Sequence, residues 1–412
     1  MARPTSRVSR VATSRVSRVV TSGPLGPFAD AYREKLEERG YSQLSAVTLQ
    51  RQVAQLSRWL DAEGLGVEQL SEERIEAFVS LQRAMARGRF SLSRPGLLCL
   101  LALLRELGVV SAPVRPALSP TEALLESFGR YLLAERGLSA GTVRGYVDRA
   151  TKFVAGLAPG GLADVTPAQV TAAVLGESAA VSVSATQNFV ASLRAFLRFC
   201  FVEGLIGIDL SPAALPITGR RRSSLPRGVA KDDADALLAS CDRRTAIGRR
   251  DFAVIIALLR LGLRRGEVAG LRLGDIDWRA GEVVVVGKGG RSDRLPLPAD
   301  VGEALAAYLR RGRPASDRRE VFLRARAPFE PMAAGTVAST VRRACRRAGV
   351  AEVGPHRLRH TTACEMVGAQ VPLPQIAQVL RHRSLQSTAI YARVDLDRLR
   401  LLAQPWPQGG SR

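Results

Sequence analysis

The chain is poor in histidine. Its 412 residues hold three, His356, His360 and His382, all in one short stretch. Lysine is nearly as scarce. Sixty residues are Lys or Arg, but the only lysines are Lys35, Lys152, Lys231 and Lys288. Cysteine is sparse, and Cys99, Cys200, Cys241, Cys345 and Cys364 are scattered with no C-x-x-C pair. That spacing gives no sign of a zinc ribbon or a disulfide framework, and it fits a reducing cytoplasm. Long apolar runs are lacking: the longest, 96–104 and 252–259, fall far short of the ~18 residues a membrane span needs. There is no P-loop and no carboxylate cluster suited to two metals, so chemistry without cofactor or metal is expected.

Acid is under-represented and base is not. The net charge is +22 and the pI is near 11.1. Such a balance favours a polyanion partner, most simply DNA or RNA, because neutralising phosphates releases condensed counterions. The first 23 residues are a basic arm. Ser6-Arg-Val-Ser-Arg-Val is followed by Ser14-Arg-Val-Ser-Arg-Val, with five Arg and no acid through residue 22. The arm has no apolar stretch, so it is not a secretory signal, and its composition predicts disorder.

Two helical domains are expected next, at 24–112 and 116–212. Glu38-Arg39-Gly40 recurs as Glu135-Arg136-Gly137, and Leu44-Ser45-Ala46 recurs as Leu138-Ser139-Ala140. Each set leads into an amphipathic helix, about 47–62 and about 140–157. Each domain then reaches a capped helix start, at Ser71 ahead of Glu72 and Glu73, and at Thr166-Pro-Ala-Gln169. Ser119-Pro-Thr-Glu122 has the same form. The pattern predicts a duplicated helical module. The second copy has a basic helix face of Arg144, Arg149 and Lys152 and ends in a helix at about 184–202. Residues 213–227 are an exposed linker whose Arg220, Arg221 and Arg222 suit a DNA backbone.

Residues 228–405 form the third domain, with 406–412 as a tail. Helices are predicted at 231–240, 250–261, 265–271, 301–311, 335–348, 357–369, 373–380 and about 385–394. Between them 283–287 is a strand, 288–293 a turn and 294–298 a return strand. Pro296 and Pro298 make that return strand a short or edge one.

The residues fit for chemistry lie in this domain. Lys288 sits in the turn, just before Gly289 and Gly290. A lysine can release a proton at usable pH, whereas an arginine cannot. In Gly262-Leu263-Arg264-Arg265-Gly266-Glu267, an apolar helix runs into a Gly-bounded turn. Arg264 at that junction can aim its fork at a phosphate, and Glu267 can pair with a neighbouring Arg or cap the next helix. His356 and Arg359 share a helix face, Leu358 points to the core, and His360 lies about 100° round from Arg359. His356 and His360 have metal-ligand spacing, but Arg357 stands where a zinc protease has glutamate, and two arginines would repel a dication. His382 and Tyr391 are nine residues apart, on opposite faces of any single helix. Ser384 is a good N-cap, and a break there brings both to one side.

Gly-Leu-Arg with Glu267, then Gly-Lys-Gly-Gly on a hairpin, then His-x-x-Arg-His, Leu-x-His and a Tyr nine residues later is an ordered motif set. It resembles the tyrosine recombinase (phage integrase) family. The match covers about 228–395. The module before it resembles the family's core-binding domain, and 24–110 has no counterpart in the minimal pattern. The resemblance implies a mainly α fold with a small β-hairpin sheet in the C-terminal catalytic domain. It also implies SAM-like helical DNA-binding domains ahead of it and a C-shaped clamp around DNA. Tyr391 would be the nucleophile on a DNA phosphodiester, forming a 3′-phosphotyrosine link and freeing a 5′-hydroxyl. Arg264 and Arg359 would hold the non-bridging oxygens, and Lys288 would protonate the leaving 5′-oxygen. His356 would act as general base or hydrogen-bond partner, and His382 would contact the same phosphate. Glu267 and His360 would support the site. The implied partners are double-stranded DNA and further copies of the chain, a tetramer on DNA, with room for accessory DNA-bending proteins. The implied place is the cytoplasm, at the nucleoid. Arg381 departs from the pattern, since Gly commonly precedes the matching His. It adds charge and bulk, altering local helix geometry or adding a DNA contact.

The chemistry agrees. Phosphoryl transfer builds charge on equatorial oxygens, which two fixed guanidiniums stabilise. A phenol has an ordinary pKa of about 10, so it needs a cationic pocket or a base to become a nucleophile. Two rival activities share parts of this pattern: a type IB topoisomerase, and a catalytically silent DNA-binding regulator. The integrase-like spacing argues against the first. The full set of Arg264, Lys288, His356, Arg359, His382 and Tyr391 argues against the second.

Overall fold

The computed structural model describes residues 19–85, 92–112, 118–157, 161–218, 228–287 and 290–381, together with Thr388 and Tyr391. The chain divides into two compact units, one of Met1–Pro113 with Pro226–Arg412, and a second of Val114–Leu225.

The first unit opens with α1 (Ala29–Glu38), α2 (Gln43–Ala62), α3 (Glu72–Met85) and α4 (Arg94–Glu106). They enclose a core of Leu25, Tyr32, Leu56, Phe78, Leu100 and their neighbours. Ser42 and Ser71 cap α2 and α3, each hydroxyl accepting an amide three residues on at 3.3 Å. The second unit contains α5 (Pro120–Ala134), α6 (Ala140–Ala155), α7 (Pro167–Ala180) and α8 (Val183–Val202) around Phe128, Phe153, Phe196 and Phe199. The expected capping boxes at Ser119/Glu122 and Thr166/Gln169 are formed in both directions. The two sequence anchors carry one local device. Gly40 and Gly137 both take left-handed backbone, at φ +77° and +59°, to leave a helix. At Gly40 the absent side chain also makes room for the Phe329 ring, which an added Cβ would meet at 2.6 Å.

The rest of the first unit is built from α9 (Lys231–Ala239), α10 (Ala246–Arg260), α11 (Arg265–Gly270), three strands, α12 (Ala299–Arg311), α13 (Ala334–Ala348), α14 (Pro355–Gly368) and α15 (Leu373–Val379). Strands β1 (Ile276–Asp277), β2 (Glu282–Val286) and β3 (Ser292–Pro296) form an antiparallel sheet in that order. Val283, Val285 and Leu295 turn into the core, and β3 is an edge, as its prolines require. The turn is shorter than the sequence predicts. The Gly287 amide donates to the Arg291 carbonyl at 2.7 Å, so pairing resumes at Ser292 rather than Arg294. Helix α10 runs through the core, with Ala253 to Leu259 all buried. It starts four residues before the predicted 250, because the Thr245 hydroxyl caps it by accepting from the Gly248 amide at 3.0 Å. None of the described helices is long and apolar enough to cross a membrane.

Candidate active site

Arg264 stands where α10 ends and α11 begins. Gly262 makes the turn at φ +55°, and a Cβ there would meet Leu380 Cδ2 at 2.8 Å. Arg264 is extended and opens α11, which places Glu267 one turn on. Glu267 serves both uses read from the sequence. Its Oε2 accepts the Arg264 backbone amide at 2.8 Å, and its Oε1 accepts from Arg264 Nη1 at 2.5 Å. Burial would raise the Glu267 carboxyl, but the Arg264 amide, the Arg381 charge and the Arg264 guanidinium together hold it below the ordinary range.

Arg359 arrives from α14, on the helix whose Leu358 is wholly buried. Only 2% of Arg359 is exposed, and its guanidinium donates to the carbonyls of Gly262 and Leu380. Arg264 Nη2 donates to the next carbonyl, that of Arg381, at 3.0 Å. Adjacent carbonyls thus bring the two arginines together. Burial, and then the charges of Arg264 and Arg381, lower the Arg359 guanidinium to about 9, so it stays charged at neutral pH. The side chain of Arg264 is 40% exposed and offers its remaining face outward.

Tyr391 is buried, at 1% exposure, and packs with Ala363, Ile376 and Leu380. Its hydroxyl is hydrogen-bonded to His360 Nδ1. His356 meets His360 edge-on, with ring centroids 4.4 Å apart. Burial pushes the phenol up to about 12, with Arg359 pulling it down by less. The cationic pocket expected to favour phenolate is therefore present but outweighed by desolvation. Burial, then the charges of His356, Arg359 and Arg357, push the His360 imidazole down to about 4. His356 is lowered too, by burial and then by Arg359 and Arg264.

Arg381 takes left-handed backbone, φ +53°, where glycine is easier. Its side chain does not reach outward for DNA. It is 4% exposed and pairs with Glu267 Oε2 at 2.8 Å. Lys288 and His382 lie outside the described residues, as do Arg220, Arg221 and Arg222. Gly287, the residue before Lys288, is beside the arginines: a Cβ on it would lie 3.9 Å from Glu267 Oε1.

On α6, Arg144 is exposed, Arg149 Nη1 donates to the Gly145 carbonyl at 2.6 Å, and Lys152 is ion-paired with Glu177 of α7. Sequence reasoning missed a second basic feature of this unit. A cleft of about 350 Å³ is lined by Arg136, Tyr146, Arg194 and Arg198. The signal was available, since Arg194 and Arg198 are four residues apart on α8.

Comparison with known proteins places this geometry in a class. Residues 227–398 match the model of the phage integrase family, and 125–204 match that of its N-terminal SAM-like domain. The putative integrase/recombinase y4rA of Sinorhizobium fredii is 38% identical over 395 residues, covering 93% of this chain and 95% of that one. Tyrosine recombinase XerD of Mycobacterium tuberculosis is 31% identical over 298 residues, covering 67% of this chain and 94% of that one. The fold is shared with the XerH site-specific recombinase bound to a palindromic difH substrate, in a post-cleavage complex. That match has a TM-score of 0.56 at 17% identity and covers 83% of this chain and 99% of that one. The chain belongs to the phage integrase family of tyrosine recombinases.

Proposed function

We propose that this protein cuts and rejoins double-stranded DNA at specific sites through a covalent bond between Tyr391 and a DNA 3′-phosphate. The observation that carries this reading is the convergence of Arg264, Arg359, His356, His360 and Tyr391 from α11, α14 and the 391 segment. The Tyr391 hydroxyl attacks phosphorus and gives its proton to His360, which holds it and is neutral at physiological pH. Arg264 and Arg359 stabilise the charge that builds on the non-bridging oxygens, and His356 and His382 attend the same phosphate. The bond to the 5′-oxygen breaks, and Lys288 supplies the proton that the leaving oxygen needs. The phosphotyrosine keeps the bond energy, so a free 5′-hydroxyl can reverse the step without ATP.

The proposal extends to partners. Arg144 and the linker arginines Arg220, Arg221 and Arg222 contact the DNA backbone, and Arg149 and Lys152 join them once released from the Gly145 carbonyl and Glu177. The enzyme works as a tetramer of identical chains on DNA, with accessory DNA-bending proteins where the site demands them, in the cytoplasm at the nucleoid. Residues 116–212 and 228–405 act as core-binding and catalytic domains.

The test is a covalent adduct. Wild type and Tyr391→Phe are incubated, without metal or ATP, with nicked duplexes tiled across the sequence flanking the gene. An SDS-stable protein–DNA band with wild type that vanishes with Tyr391→Phe is expected. Salt-sensitive binding with no band on any duplex would overturn the reading in favour of a silent DNA-binding protein.

A further inference from the structure

Three guanidiniums, not two, meet at the junction of α10 and α11. Arg381 closes on it from both ends. Its carbonyl receives Arg264 Nη2 at 3.0 Å, and its own Nη2 returns to Glu267 Oε2 at 2.8 Å and to the Gly262 carbonyl at 3.4 Å. Its Nη1 donates to the Val379 carbonyl at 2.9 Å. Gly262 is also held by Arg359. The turn that carries Arg264 is therefore fastened to the end of α15 by side chains from Arg359 and Arg381.

The arrangement has features that packing alone does not require. A β-carbon in left-handed backbone is disfavoured, yet the chain places Arg here. The guanidinium is buried although its Nε finds no hydrogen-bond partner among the described residues. Its counter-charge is the single carboxylate that Arg264 also uses. Among the described residues, with Arg381 present, three guanidiniums face one carboxylate, a local excess of two positive charges. Without it, Glu267 would be matched to Arg264 alone, and the excess would fall to one.

We propose that Arg381 is a positioning residue of the DNA-cleaving site, sharing the Glu267 carboxylate so that Arg264 keeps its orientation, and the site its net positive charge, for the scissile phosphate. This rests on the recombinase reading above. It adds a cation that acts through Glu267 and Arg264 and does not itself touch DNA.

The experiment uses the full-length protein and a duplex on which the wild type forms the Tyr391 adduct. It is made in two forms, one with the natural scissile phosphodiester and one with a neutral methylphosphonate there. Single-turnover cleavage is measured for wild type, Arg381→Gly, Arg381→Gln and Arg381→Lys. The glycine suits the left-handed backbone, and the glutamine keeps much of the bulk without the charge. Both are expected to slow phosphodiester cleavage by about 10²-fold, the scale of losing one electrostatic contact to a developing charge. They should slow methylphosphonate cleavage far less, and Arg381→Lys should recover most of the rate. A purely structural role predicts equal slowing on both substrates. That result, or variants as fast as wild type on the phosphodiester, would overturn the inference and leave the recombinase reading intact. A wild type that forms no adduct on any duplex would overturn both.

Discussion

His360 Nδ1 and the Tyr391 hydroxyl share a hydrogen bond in which the ring is held neutral and the phenol protonated. The bond joins a residue of α14 to a side chain 31 positions further along. In the tautomer that carries its proton on Nε2, the phenol donates and the imidazole accepts, which is the arrangement the proposed proton transfer uses.

The first prediction concerns rate against pH. An ordinary histidine, with pKa about 6.5, would lose its accepting form in mild acid. His360 is depressed to about 4, so its accepting form persists there. Single-turnover adduct formation should therefore hold its rate from about pH 8 down to about 5.5. His360→Gln should lower that rate by about 10²-fold or more. A wild-type fall centred on the ordinary histidine value, or an unimpaired His360→Gln, would remove His360 from the proton path.

Much of this site was legible before the fold was. Arg264, Glu267, Arg359 and Tyr391 were singled out through the resemblance of their ordered motifs to the integrase family, and the structure brings them together. Helix starts were legible where the signal is local: Ser119 with Glu122 and Thr166 with Gln169 bond within one turn. The start of α10 was not: the sequence reading began it at 250 and did not read the Thr245 cap, whose hydroxyl accepts from the amide of Gly248, where the Asp242 carbonyl fills the space of a Cβ. The partner of Tyr391 was also hidden. Which of two histidines one helical turn apart meets the phenol depends on how distant segments dock, and spacing carries no record of that. Arg381 was recognised as a departure, but its inward turn follows from a backbone angle that an Arg does not advertise.

Stability against pH gives a second prediction. Both His356 and His360 have folded pKa values below the ordinary one. The unfolded chain therefore binds protons that the folded chain refuses. The stability from this source is complete above about pH 6.5 and is lost as pH falls toward about 4. Glu267, also depressed, adds a separate loss that begins only near its unfolded value of about 4.3. Urea midpoints measured at pH 7 and pH 5 should differ for wild type, and His360→Phe should narrow the difference. Equal midpoints in wild type would contradict the depressed histidines.

Gly262 supplies a third. Its φ of +55° disfavours any side chain, and an added Cβ would press on Leu380 at 2.8 Å. Forcing an L-residue into this backbone costs roughly 1–2 kcal/mol before the clash is counted. Gly262→Ala should therefore destabilise by about 2 kcal/mol or more, read from urea denaturation with an unchanged slope. The damage should reach the chemistry as well, because the Gly262 carbonyl holds the Arg359 guanidinium. A variant of wild-type stability would mean that the turn relaxes freely.

The last prediction separates the basic residues of α6 by what already occupies them. Arg144 is exposed, whereas Lys152 is ion-paired with Glu177 and Arg149 is bonded back to the Gly145 carbonyl. A cation that neutralises a phosphate releases counterions, and each such contact adds about one to the slope of log affinity against log salt. Arg144→Ala should lower that slope by about one and weaken binding to all duplexes alike, as a backbone contact does. Lys152→Ala should change it less, because binding DNA would first require breaking the Glu177 pair, and Glu177→Gln should strengthen binding by freeing Lys152. If Lys152→Ala lowers the slope as much as Arg144→Ala, the Glu177 pair does not restrain the lysine on DNA. If neither variant moves the slope, the backbone contacts of this unit belong to the Arg136, Arg194 and Arg198 cleft, and Arg194→Ala is the variant that should then reduce it.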